Sequence, residues 1–219
     1  MSLTLSGAIT EVRAVLNEAS PAFWTDAEIT LWIQEGTRIV ASKTLMAEDD
    51  QIIDPLVENQ LSYSSSDETW IADIIEPYAA IYDDGSNKYK GLIKMHPRQL
   101  GNVATFTSGA PKYYALHNRQ LFFWPLATAA VAAAGSVRVL FAKETDDITD
   151  LNDEFQHMSV QFAIGRAKQK DQKFAEANSI FQQFYSDVNF ERADKHVRET
   201  DSIESFRIPR RGGGEGAKV

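Results

Sequence analysis

Apolar residues change their spacing twice along this chain, and that pattern narrows the folds open to it more than any other feature. Leu5, Ile9, Val12 and Leu16 recur at steps of three and four, one apolar stripe on a helix predicted over 3–18. Asn17-Glu18-Ala19-Ser20-Pro21 is expected to stop it, because proline restricts the residue before it. Thr25-Asp26-Ala27-Glu28 then reads as a capping box opening a second helix over 26–45. Ile29, Trp32, Ile33, Ile39 and Val40 give this helix its buried face, and Trp24 is placed to pack on its first turn. From about 61 to 142 the period shortens and Tyr, Phe, Trp, Val and Ile alternate between turn residues. Helical spacing returns at 154–170 (Phe155, Met158, Phe162) and at 173–192 (Phe174, Ala177, Phe181, Phe184, Val188). The expected fold is therefore α+β: a bundle of about four helices, an inserted antiparallel β-sheet and an extended C-terminal arm.

Within the β-rich part, Tyr78 to Tyr82 is expected to run into a turn at Asp83-Asp84-Gly85-Ser86-Asn87, with Lys88 to Lys94 returning beside it. Lys112 to Leu116 and Gln120 to Trp124 flank His117-Asn118-Arg119 as a hairpin, and Ser136 to Phe141 is a further strand. Ala127 to Gly135, uncharged and of little bulk, is expected to be a loop crossing one end of the sheet. The two last helices are expected to form an antiparallel hairpin against the first two.

Composition limits the chemistry. With 219 residues the chain can bury a substantial core, and 43% hydrophobic content argues against wholesale disorder. Cysteine is absent, which removes disulfides, thiolate zinc sites and a cysteine nucleophile. No apolar run reaches the roughly 18 residues that would span a bilayer. A net charge of −9 argues against non-specific nucleic-acid binding as the main task. His96, His117, His157 and His196 lie far apart, and no phosphate-binding glycine loop or nucleophile elbow is present. The acidic doublets Asp49-Asp50, Asp83-Asp84 and Asp146-Asp147 are poor pairs on strands, where neighbours face opposite ways. Asp150 or Asn152 is expected to cap the helix that follows, with Asp153 and Glu154 complementing its dipole. Tyr113, Tyr114, Phe122, Phe123 and Trp124 could stack on bases, but the scarcity of interleaved Lys/Arg favours packing. No catalytic residue, cofactor or metal is assigned.

From about Ala193 the apolar stripe is lost, and residues 193–219 are expected to be a tail that is disordered until a partner orders it. The tail holds six basic and five acidic residues; subtracting them from 22 and 31 leaves 16 and 26, so the body carries −10 and the tail +1. Phe206, Arg207, Ile208, Pro209, Arg210 and Arg211 set apolar groups among arginines, a composition suited to a partner's groove.

The order of elements resembles the head–tail adaptor (connector) proteins of tailed bacteriophages. The similarity lies in Ile9 to Glu18, Phe23-Trp24-Thr25-Asp26-Ala27-Glu28-Ile29 with Trp32 to Gly36, Gly109 to Leu116, Leu121-Phe122-Phe123-Trp124-Pro125 and Val137 to Phe141. It continues in Leu151 to Phe155, Ala163 to Ala167 and Lys170-Asp171. Leu45 to Ser66 matches no part of that pattern and is expected to be an insertion toward a phage-specific partner. The resemblance implies a non-enzymatic adaptor domain over 1–192 and a homo-oligomeric ring, typically of twelve copies, beneath the portal protein. Such a ring joins capsid to tail or nozzle proteins at the virion neck after assembly in the host cytoplasm, with no membrane partner. Genomic double-stranded DNA would pass through it without sequence-specific binding; twelve copies would carry about −108 and could repel phosphates. The C-terminal extension would grip the portal, which makes Phe206 to Arg211 the expected contacts. Two alternatives remain: a tail terminator or stopper ring, and a carboxylate-dependent hydrolase or nuclease using Asp146, Asp147 and Asp150.

Overall fold

The computed structural model describes residues 2–18, 21, 23–86, 88–100 and 108–205, with the backbone alone at 97, 100 and 193–205. Helix α1 (Leu5–Leu16) begins where the Thr4 hydroxyl accepts the Gly7 amide at 3.1 Å, and ends where Asn17 turns into the left-handed region at φ 56°. The capping box of α2 (Asp26–Thr44) is complete: Thr25 Oγ1 accepts the Glu28 amide at 3.2 Å, and the Glu28 carboxylate accepts the Thr25 amide at 3.0 Å. Trp24 and Ile29 share one apolar cluster, as a staple across the cap requires. Arg13 lies on the inner side of α1, 7% exposed, and ties the connection between the two helices. Its guanidinium donates to Asp26 Oδ1 at 2.6 and 3.0 Å, to Glu18 at 3.2 Å and to the Trp24 carbonyl at 2.9 Å.

The strands β1 (Glu48–Ile53), β2 (Ser62–Tyr63), β3 (Ile74–Asp83), β4 (Tyr89–Gly91) and β5 (Ile93–Lys94) come next. A short helix α3 (Pro97–Leu100) leads on to β6 (Tyr113–His117) and β7 (Gln120–Trp124), then α4 (Ala129–Ala134) and β8 (Ser136–Lys143). The bundle is completed by α5 (Asp153–Lys170) and α6 (Phe174–Ser205). Where one sheet is expected, the described residues form two of four strands each, in the orders β1-β8-β3-β4 and β2-β7-β6-β5. Every strand pair is antiparallel except β5 with β6, which run parallel. The sheets share one core, in which Tyr82, Val137, Val139 and Phe141 of the first meet Tyr63, Tyr114, Leu121 and Phe123 of the second. The turn between β6 and β7 is the expected hairpin, tightened to Asn118 and Arg119, both at positive φ (51° and 55°), as a two-residue primed turn needs.

The β-rich part starts earlier than the sequence pattern suggests. Glu48 to Gln51 lacks apolar alternation, yet β1 pairs along its whole length with β8, and β2 pairs with β7. The segment 45–66 is thus woven into both sheets. Ala127 to Gly135 is also not a loop: Thr128 caps a helix over Ala129–Ala134, because alanine has the highest helix propensity whatever its bulk.

In the bundle, α5 is central and buried on two sides. Val160, Ala163 and Ala167 pack with α1 and the start of α2, while Phe155, Met158 and Phe162 pack with Val40, Phe184 and Val188. Two glycines allow the close approach. A Cβ on Gly165 would come within 2.7 Å of the Phe181 ring, and one on Gly36 within 3.0 Å of Phe162 Cβ. Bundle and sheets are joined through tyrosines: Tyr78 donates to the Leu45 carbonyl at 2.6 Å, and Tyr114 donates to the Tyr78 carbonyl at 3.0 Å. Burial pushes the Tyr114 phenol up to about 12, so its bond to the Tyr78 carbonyl keeps its proton across the physiological range.

Candidate partner-binding site

The α5–α6 hairpin leads into the arm. Lys173 follows a tight turn in which Gln172 is left-handed (φ 60°), and the rings of Phe181 and Phe184 then pack tilted against Phe162 at centroid distances of 5.4 and 5.2 Å. Ala177, Phe184 and Val188 are buried as the stripe requires, whereas Phe174, its first member, stays 57% exposed. Val188 is the last buried position among the described side chains, and Phe190 just beyond it is 70% exposed. The helix nevertheless continues to Ser205, thirteen residues past the expected end at 192. Loss of an apolar stripe removes packing but not backbone hydrogen bonds, and no Gly or Pro interrupts the sequence from Arg166 to Ile208. Asn189 to Ser205 is about 25 Å of helix at 1.5 Å per residue. The first part of the expected arm is therefore helical. The expected contacts Phe206, Arg207, Ile208, Pro209, Arg210 and Arg211 lie outside the described residues.

Phe190 belongs to this region and was not among the expected site residues. It stands two positions from Val188, off the buried face of α6. Its signal in the sequence is an aromatic at a position where helical periodicity calls for a polar one.

The acidic residues singled out as a possible catalytic set are each engaged elsewhere. Asp146 pairs with Arg38 at 2.7 Å, and Asp150 pairs with Lys143 at 3.0 Å while accepting the Thr145 hydroxyl at 2.6 Å. Asp147 caps the 3-10 turn Ile148–Asp150, and the Thr149 amide and hydroxyl hold its carboxyl below the usual carboxylate range. Asn152 occupies the N-cap position of α5 without a side-chain cap bond, and Asp150 turns to Lys143 instead, so neither caps as expected. Among the described residues no three His, Cys, Asp or Glu are grouped to hold a metal ion. On β1 the neighbours diverge as a pleated strand demands, Asp49 toward Lys143 and Asp50 toward Arg138. His96 and His117 lie exposed near the hairpin, His157 is exposed on α5, and the His196 side chain is outside the described ones. Of the five aromatics considered for stacking, Tyr114, Phe123 and Trp124 are buried, and Tyr113 and Phe122 half-buried. No described helix is long and apolar enough to cross a membrane.

A bundle of four long helices with β-structure inserted between the second and third is the α+β architecture expected from the resemblance to phage head–tail adaptors; the second sheet and the longer last helix are departures from it. The chain matches the family model of the SU10 adaptor protein over residues 3–203, and it belongs to that family. The match spans the bundle, both sheets and nearly all of α6, and stops short of Phe206. Among curated proteins none matches the chain. Membership makes this a phage adaptor protein and implies a place at the neck of the virion.

Proposed function

We propose that the chain forms a ring beneath the portal, joins capsid to tail, and holds the portal through its C-terminal arm. The DNA channel would run through this ring, with the net negative charge of each copy discouraging phosphate adhesion. The observation that carries the reading is the course of α6, which stays helical to Ser205 beyond Val188, its last buried residue among the described side chains. It would deliver Phe206 to Arg211 to a surface away from its own bundle. The arm's arginines can make paired bonds to carboxylates, and Phe206 and Ile208 supply apolar contact. Several arms engaged at once would make weak single contacts collectively firm.

Deleting 205–219 removes none of the buried core among the described residues and should leave a folded subunit. Mixed with purified portal rings, the full chain should co-sediment and the truncated chain should stay in the supernatant. Undiminished co-sedimentation of the truncated chain would overturn the arm's role.

A further inference from the structure

Charge is segregated along this sequence. No Lys or Arg occurs from 45 to 87, and no Asp or Glu from 85 to 143. The first sheet weaves the two stretches together: β1 and β3 come from the acidic one, β8 and β4 from the basic one. In the order β1-β8-β3-β4 the strands therefore alternate acidic, basic, acidic, basic. Neighbours inside the sheet use the alternation, with Asp50 paired to Arg138 at 3.1 Å and Asp49 to Lys143 at 3.7 Å. At its two edges the alternation has no further strand to meet. Among the described residues strand β1 pairs only with β8, and β4 only with β3. One edge carries Glu48, Asp49 and Asp50; the other carries Lys90, with Lys88 just before the strand. Lys90 is exposed and has no ion pair among the described residues. Exposed apolar groups flank both edges, Ile52 (42%) beside the acidic one and Tyr89 (67%) on the basic one. The register places both on the outward face of the sheet, where they line one shallow depression together with Ile81 and Arg138.

We propose that β4 of one copy lies along β1 of the next, so that this sheet continues from subunit to subunit with its charge alternation unbroken. This deepens the ring reading above and rests on it. The occupant of each edge is a second copy of this chain, chosen by charge. Basic edge meets acidic edge, whereas two β1 or two β4 edges brought together would repel. Because the two edges are at opposite ends of one sheet, the contact is head-to-tail, the kind that closes into rings rather than stopping at a two-fold dimer. Tyr89 of one copy would meet Ile52 of the next across the seam. Charged edges can also serve only to prevent aggregation, and the test separates the two roles.

The chain has no cysteine, so introduced thiols report without background. Ile52→Cys and Tyr89→Cys, which share the outward face, are made singly and together, with Glu48→Cys and Asp50→Cys on that same face replacing the first to scan the register. Each protein is oxidised at concentrations where sedimentation velocity shows association, and within assembled particles. The double variants should give a ladder of covalent multimers, mixed single variants only dimers, and each single variant alone no cross-link. Cross-linked homodimers of a single variant would overturn the head-to-tail pairing. Association without any β1–β4 cross-link would overturn the edge contact while leaving the ring standing, and absence of association even in particles would remove both. As a second readout, Lys88→Glu/Lys90→Glu with an unchanged melting curve should weaken self-association by about tenfold or more. Raising salt from about 50 to about 500 mM should do the same to the unaltered chain; association indifferent to both changes would overturn the proposal.

Discussion

In the bundle, α5 and α6 are held to α2 by interlocking apolar faces, with Phe162, Phe184 and Val188 meeting Val40 in a cluster closed to water. In the first sheet, β1 is held to β8 by ladder bonds and by half-exposed ion pairs, with Ile53 the only residue of the strand that is buried. The difference is one of locality and of what each region leaves over. Helices choose their buried faces within a few residues, and the surplus is a helix that continues past Val188, the last buried residue among its described side chains. Strands must find partners about ninety residues away, and the surplus is two edges with opposite charge.

Substitutions should expose this contrast. The largest effect is expected for Phe184→Ala, which opens a cavity in the bundle; chemical denaturation should show a loss of about 3–5 kcal/mol. Next comes Arg13→Ala, which strips Glu18 and the Trp24 carbonyl of their buried partner and should cost about 2–3 kcal/mol by the same measurement. Gly165→Ala presses on the Phe181 ring and should cost about 1–3 kcal/mol, visible as a lowered melting temperature. In the sheet, Arg138→Ala breaks an ion pair whose side chains are both more than half exposed, and should cost no more than about 1 kcal/mol. A cost for Arg138→Ala comparable to that for Phe184→Ala would mean that charge, not burial, holds the sheet.

The smallest effect is one of pH. Lys170, donating at 2.7 Å, and the Thr25 cap hold the Glu28 carboxyl at about 2, below its ordinary 4.5. Its contribution is therefore full above about pH 4.5 and lost as pH falls from there toward 2. Melting curves of the unaltered chain and Glu28→Gln should differ at pH 6 and converge in acid.

Legibility in the sequence follows the same division. The Thr25–Glu28 capping box, the stripe of α1 and the β6–β7 hairpin are local signals, and all are present in the structure. Strand β1 was hidden because Glu48 to Gln51 has little strand propensity, and its partners Arg138 and Lys143 are remote in sequence. In the alanine run helix propensity, not bulk, governs the conformation, so its low bulk points wrongly to a loop. Two-sided burial of α5 blurs its periodicity, so that Phe155, Met158 and Phe162 disclose only one of its faces. For the arm, composition points to Phe206 to Arg211 as an apolar and basic segment, while the helix leading to it depends on the absence of breakers rather than on any stripe.

The most direct measurement is a density map of the intact neck of the particle, traced through the C-terminus of this chain. Phe206 and Ile208 should be enclosed by portal subunits, with Arg207, Arg210 or Arg211 on portal carboxylates. A map in which these six residues emerge into solvent and touch no other protein would contradict it.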